Sequence, residues 1–215
     1  MANQLKLIRK LLSYSPCQAV SFVALLLVFA LHIQGQTKPQ PSPAAATISG
    51  ILADGLYRNN SFGFAYKLRY GWVDRTKQMR DISTDSAKEQ VLLAVFEHPP
   101  EVKNDAINPT VIIAAENLSS YPGIKTAADY FDPLSEAATA QGLKIVNEPY
   151  ATSVGTKSLV RADFSKEIDK VTMYQSSLVM LSKGYAVSFT FIGGSEDEVE
   201  QLIDHLSFSS PNVKR

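Results

Sequence analysis

Between Ser158 and Ile192 the chain runs three long stretches rich in β-branched, aromatic and aliphatic residues: SLVRADFSKE (158–167), VTMYQSSLVML (171–181) and YAVSFTFI (185–192). Only three residues separate each from the next. Links that short leave no room for a crossover helix, so neighbouring strands must run antiparallel. Ser182, Lys183 and Gly184 read as a hairpin turn, with Gly184 free to take the positive φ such turns need. The segment SEDEVEQLIDHL follows, with Ser195 as N-cap and Glu198 three residues on as the second half of a capping box. Val199, Leu202, Ile203 and Leu206 then recur at helical spacing on one face.

Upstream, VLLAVFEH (91–98) and VIIAAENL (111–118) are short apolar runs bounded by polar or proline-rich residues, hence strands. LKIVNE (143–148) is a shorter candidate. The alanine-rich segment from Thr126, TAADYFDPLSEAATAQG, predicts a helix closing on Gly142 as its C′ residue. Pro133 within it implies either a kink or a fresh first turn capped by Asp132. Strands outnumber helices without βα alternation, so the expected class is α+β, a central antiparallel sheet with helices packed against it.

The N-terminus carries an address rather than a fold. MANQLKLIRK holds three cations and no acid, and AVSFVALLLVFALHI (19–33) follows with no charge fixed at neutral pH. A basic n-region before an apolar run marks a secretory signal. Fifteen residues are short for a bilayer core, which takes roughly 20 in helical form. Residues 1–36 are therefore read as a signal peptide, with an uncleaved N-terminal anchor as the rival, and both place the domain outside the cytoplasm. Membrane contact is expected only through that segment if uncleaved. Cys17, the single cysteine, precedes the apolar run, where a lipoprotein cysteine would follow it. A chain cleaved after the run has no thiol and no disulfide. Residues 37–50 form a Pro/Ala-rich linker, 51–210 the domain and 211–215 a tail.

Charge excludes one class of partner. Three of the 21 basic residues lie in the first ten positions, so eighteen face 21 acidic residues in the remainder, a net of −3. Nucleic-acid binding needs a basic face to neutralise phosphates and is not expected. The motifs of catalysis are also missing. Beyond His32, only His98 and His205 exist, too far apart in sequence for a zinc-binding helix motif. Gly155-Thr156-Lys157-Ser158 lacks the adjacent Gly-Lys of a phosphate loop. Asp81, Ser83, Asp85 and Glu89 have calcium-loop spacing, but Ser86 and Leu92 stand where that loop needs Gly and Glu. Asn59-Asn60-Ser61 and Asn117-Leu118-Ser119 fit the glycosylation acceptor pattern of a eukaryotic secretory route. No catalytic residue, cofactor or metal ligand is expected.

The stretch YRNNSFGFAYKLRYGW (57–72) holds six aromatic residues. Alternation of Phe62, Phe64, Tyr66 and Leu68 with smaller or polar residues predicts the inward face of a central strand. Arg69 and Tyr70, beside the turn and outside that alternation, are the surface-binding candidates. Tyr57, Asn59, Phe62, Gly63, Phe64, Tyr66, Gly71 and Trp72 together resemble the N-terminal signature of PsbP/Mog1-like domains, with Arg69 where that signature usually has Pro. GYAVSFTF, the serine-capped helix and the Leu-Ser-Phe ending at Phe208 resemble its C-terminal part. The resemblance implies an α/β/α sandwich around a central antiparallel sheet and supplies no catalytic residues. Its members include extrinsic photosystem II subunits, a Ran-binding nuclear protein and exported bacterial proteins. With the export signal, the expected role is a non-enzymatic accessory module binding a protein partner in the bacterial envelope. The alternatives are a small-molecule or ion-binding protein with a pocket between sheet and helices, and a cryptic hydrolase, which needs His98 or His205 in a cleft with a serine and a carboxylate.

Overall fold

The computed structural model describes residues 48–82, 89–102 and 106–208. In chain order the elements are β1 (Ile51–Ala53), β2 (Leu56–Asn59), β3 (Phe64–Lys67), β4 (Val73–Asp74), α1 (Thr76–Ile82), β5 (Glu89–Phe96) and β6 (Thr110–Asn117). Then come α2 (Phe131–Thr139), β7 (Lys144–Val154), β8 (Lys157–Ile168), β9 (Val171–Ser182), β10 (Tyr185–Gly193), α3 (Glu196–Ile203) and β11 (Leu206–Phe208). The class is α+β, dominated by antiparallel sheets.

Seven strands form one sheet in the order β4-β5-β6-β10-β9-β8-β7, every neighbouring pair antiparallel. The 158–192 region folds as its short links require. Lys183 and Gly184 sit at φ 52° and 79°, both in the left-handed region, as the tight β9–β10 hairpin demands. Alternate residues of β10 serve opposite faces: Val187, Phe189 and Phe191 enter one core, Ala186 and Ile192 another.

The first face is roofed by α3 and by a separate four-stranded sheet, β1-β2-β3-β11. The aromatic stretch lies here, which corrects the expectation that it supplies a central strand. Its side chains are core nonetheless. Phe64 meets Phe189 edge-on at 5.0 Å between ring centroids, with Tyr57 and Phe208 at 5.9 and 6.3 Å. The Tyr66 hydroxyl donates to the Leu202 carbonyl of α3 at 3.3 Å. Asn59 ties the β2–β3 turn together: its Oδ1 accepts from the Phe62 amide and its Nδ2 donates to the Ile48 carbonyl. It is fully buried, so this acceptor sequence offers no side chain to a glycosylating enzyme in the folded state.

The opposite face carries α1, through Met79 on Val91, Ala94, Phe96 and Ile112, and α2, through Phe131, Leu134 and Ala138. The helix expected from Thr126 begins five residues later. Ahead of it, the Asp129 carboxylate accepts the amides of Lys125 and Thr126, closing a turn that competes with helix. Asp132 lies in the first turn of α2 rather than capping it; the N-cap is Tyr130. Gly142 does take the positive φ, 81°, that ends the segment.

Ser195 caps α3 as expected, its Oγ accepting the Glu198 amide at 3.1 Å. The Glu198 carboxylate reaches back one residue further than a standard capping box, to the Gly194 amide at 2.7 Å. Leu206 is buried but belongs to β11, not to the helix. Replacing Ser195 by Ala should cost about 1 kcal/mol of stability, read as a shift in urea midpoint at unchanged m value.

Candidate functional site

A cluster of polar side chains converges where the first face of the large sheet runs past α3 toward its β7 edge. On β8, Leu159, Arg161 and Asp163 share one face by strand alternation. Leu159 enters the core under the small sheet, whereas Arg161 and Asp163 emerge beyond that roof. A cavity of about 160 Å³ lies there, lined in part by Val146, Asn147, Tyr150, Ser176, Glu196 and Glu200.

An irregularity in β7 builds the site. The register between β7 and β8 shifts between Asn147 and Tyr150, the stretch that contains Pro149. An edge strand can hold a proline there because its missing amide need not donate to a ladder. The extra residue lets both Asn147 and Tyr150 reach Asp163 Oδ2, at 3.1 and 3.0 Å. Asp163 Oδ1 accepts from Arg161 Nε at 2.7 Å and from Ser176 Oγ at 2.5 Å. Arg161 Nη2 also donates to Ser176 Oγ and to Glu200 Oε1 of α3, at 3.0 and 2.5 Å. Its guanidinium carbon lies 6.0 Å from the Tyr150 ring centroid, within cation–π range.

The electrostatics follow from this wiring. Burial alone would raise the Asp163 carboxyl, but hydrogen bonds from Ser176 and Arg161 outweigh it and hold the group below the usual carboxylate range. Burial pushes the Tyr150 hydroxyl up to about 12, so it stays a donor at neutral pH. Each Asp163 oxygen already takes two donors, and Ser176 is buried. The hydrogen bonds of the cluster therefore pin β7, β8, β9 and α3 together. The Asp163 carboxylate is thus no free base, and the Ser176 hydroxyl no accessible nucleophile.

Neither histidine lines this cavity. His98 lies beside Glu97 at the end of β5, and His205 Nδ1 bonds the Lys67 carbonyl at 2.6 Å. The convergence that the hydrolase reading needs does not occur there. Among the described residues no group of three or more His, Cys, Asp or Glu side chains could hold a metal ion. Arg69 and Tyr70 sit in the turn after β3. Arg69 donates to Gln201 of α3 at 3.2 Å, and Tyr70 projects fully into solvent. Neither lines the cavity. Among the described residues no helix is long and apolar enough to cross a membrane, and the apolar run 19–33 lies outside them.

Sequence reasoning missed the Arg161 cluster, although a signal was present. Two opposite charges, two residues apart, occupy the inward phase of an otherwise apolar strand. Such a pair is stable there only if each charge finds partners.

No protein-family model matches the chain, and no curated protein matches it. Solved structures similar to it include the cyanobacterial PsbP, CyanoP, of Synechocystis sp. PCC 6803, at 15% identity over 72% of this chain and 91% of that one, with a TM-score of 0.44. Another is LpqN, involved in cell envelope biogenesis of Mycobacterium tuberculosis, at 14% identity over 68% and 83% of the two chains and a TM-score of 0.37. A Pseudomonas aeruginosa protein of unknown function is similar at 13% identity over 51% and 79%, also with a TM-score of 0.37.

Proposed function

We propose that the chain is an exported, non-enzymatic accessory module of the PsbP/Mog1-like kind, an α/β/α sandwich that binds a protein partner in the bacterial envelope. The N-terminal basic and apolar run supports export, and the signature around Tyr57–Trp72 supports the family. The observation that carries binding is the β7 edge. All residues from Lys144 to Ala151 are exposed, and Ile145, Val146 and Tyr150 are among the few large hydrophobics left in solvent. Exposed apolar side chains on a pinned, unpaired edge suit recognition by another protein. Pro149 and the register shifts interrupt the ladder, so recognition works through side chains more than through added strand pairing.

Val146, 45% exposed, makes none of the cluster's hydrogen bonds and is the residue to change. Val146→Glu should leave stability within about 0.5 kcal/mol of the native protein. It should also deplete, in affinity purification from envelope fractions, a partner that the native chain recovers repeatedly. Recovery of the same proteins by both chains, or of none by either, contradicts the proposal. A second reading, small-molecule binding, rests on the cavity beside α3. At about 160 Å³ it falls below the roughly 300–1,000 Å³ of ordinary ligand sites. A thermal-shift screen would have to show ligand-dependent stabilisation to favour it.

A further inference from the structure

The cavity between β7 and α3 is small for an ordinary ligand, but it has the size of a single side chain. At about 160 Å³ it is comparable with the roughly 150 Å³ space that takes up one benzene molecule. Protein interfaces concentrate their affinity in such pockets, each filled by one anchoring side chain. The lining includes Val146 and Tyr150, exposed apolar residues of the β7 edge. What the pocket selects is set by its charge.

Asp163, Glu196 and Glu200 line the cavity against one cation, Arg161, which leaves two negative charges. Arg161 pairs with Asp163 and Glu200, and Asp163 takes donors on both oxygens. The charge offered to a visitor therefore lies on the α3 side. Glu196 is exposed and makes no hydrogen bond or ion pair among the described residues, and the Glu200 side chain is 53% exposed. Glu196, Glu200 and Asp204 recur at i, i+4 and i+8, along one face of the helix, and like charges at that spacing destabilise it. Asp204 stands at the C-terminal cap, where the macrodipole favours a cation, and the last turn holds no basic residue. The stability of α3 thus does not account for this stripe beyond its first turn. A cation arriving from outside the chain does.

We infer that the β7–α3 surface docks a basic segment of the protein partner, one lysine or arginine side chain entering the cavity while an apolar neighbour covers Val146. The inference rests on the reading of the β7 edge as a docking surface and adds the chemistry of what docks. The incoming cation meets the Glu196 and Glu200 carboxylates, and its apolar stem runs along the Tyr150 ring, an aromatic wall that suits a cation. That wall is fixed in place, since the Tyr150 hydroxyl donates to Asp163 at 3.0 Å. Beyond its first ten residues the chain is net acidic, which speeds encounter with a basic partner.

The test places a photocrosslinking amino acid at Val146 in the full chain in cells, alone and combined with Glu196→Lys. Glu136→Lys, on the exposed surface of α2, is the control for an equal change of charge. Glu196→Lys should lower the yield of the crosslinked species at least about tenfold, the cost of facing like charges, and Glu136→Lys by less than about twofold. With the purified full chain, the peptide acetyl-Leu-Lys-Leu-Lys-Leu-amide should bind saturably and shift the Val146 and Glu200 amide resonances. Binding should weaken from about 0.1 to 1 M salt, as the Debye length falls from about 10 to 3 Å. The Leu-Glu-Leu-Glu-Leu counterpart should not bind. Equal crosslinking with and without Glu196→Lys overturns the inference and leaves the docking surface standing, whereas no species from position 146 alone removes both. Equal loss in the two lysine variants, a species made of two copies of this chain, or failure of the lysine peptide to bind also overturns it. So does a shift of the same resonances by calcium alone that excludes the peptide, since the carboxylates would then hold a metal ion.

Discussion

Phe64→Ala should lower the stability of the domain by about 3–5 kcal/mol, the usual cost of emptying a buried aromatic site. Phe64 is 2% exposed and packs on rings from three other strands, Tyr57, Phe189 and Phe208. These contacts join the small sheet to the large one, so the cavity would open at the seam between the layers, where collapse requires a whole sheet to shift. A loss of this size is a large part of what a single domain possesses. Much of the population should unfold at temperatures the native protein tolerates. The matched control is Tyr70→Ala in the same aromatic stretch, which removes a fully exposed ring and should change stability by less than about 0.5 kcal/mol. Urea midpoints of the two variants at a common m value decide the point.

Asp163→Ala should cost about 3 kcal/mol, toward the lower end of what breaking a buried ion pair costs. It strands Arg161, whose side chain is only 14% exposed, and removes the acceptor of Ser176, Asn147 and Tyr150. Glu200 remains as a partner for Arg161, which limits the loss. The sign of the pH dependence separates this effect from ordinary packing. The Asp163 carboxyl is held below its unfolded value, so its contribution is present above about pH 4 and disappears as pH falls through its folded value. The native protein and the variant should converge in stability under acid conditions and diverge above about pH 4. A constant gap down to pH 2 would mean that Asp163 acts through volume rather than charge.

Much of this architecture was legible because local signals agreed with the tertiary solution. Short links around Asp169 and Lys183 leave antiparallel pairing as the one outcome for β8, β9 and β10, and the Ser195 cap marks the start of α3 by hydrogen-bonding chemistry alone. Where non-local pairing decides, the sequence was silent. Alternation at Phe64 and Tyr66 identifies a half-buried strand, but not that it leaves the large sheet to pair with Leu206–Phe208 some 140 residues later. The strand candidate at 143–148 stops before Pro149, yet the edge position and register shift absorb that proline, and β7 runs on to Val154. The seven residues of α1 are too few to show periodicity. The Arg161–Asp163 cluster escaped notice for a related reason. Its six members come from four elements, and only the fold brings them together.

The central claim is that the β7 edge beside α3 meets a partner outside the cytoplasm. Its most direct test places a photocrosslinking amino acid at Val146 in the full chain in living cells, with a second chain carrying it at Asp132 on the opposite, α2-bearing face. The account predicts a discrete crosslinked species in the envelope fraction from position 146 and none from position 132. No species from 146, or the same species from both positions, would contradict it.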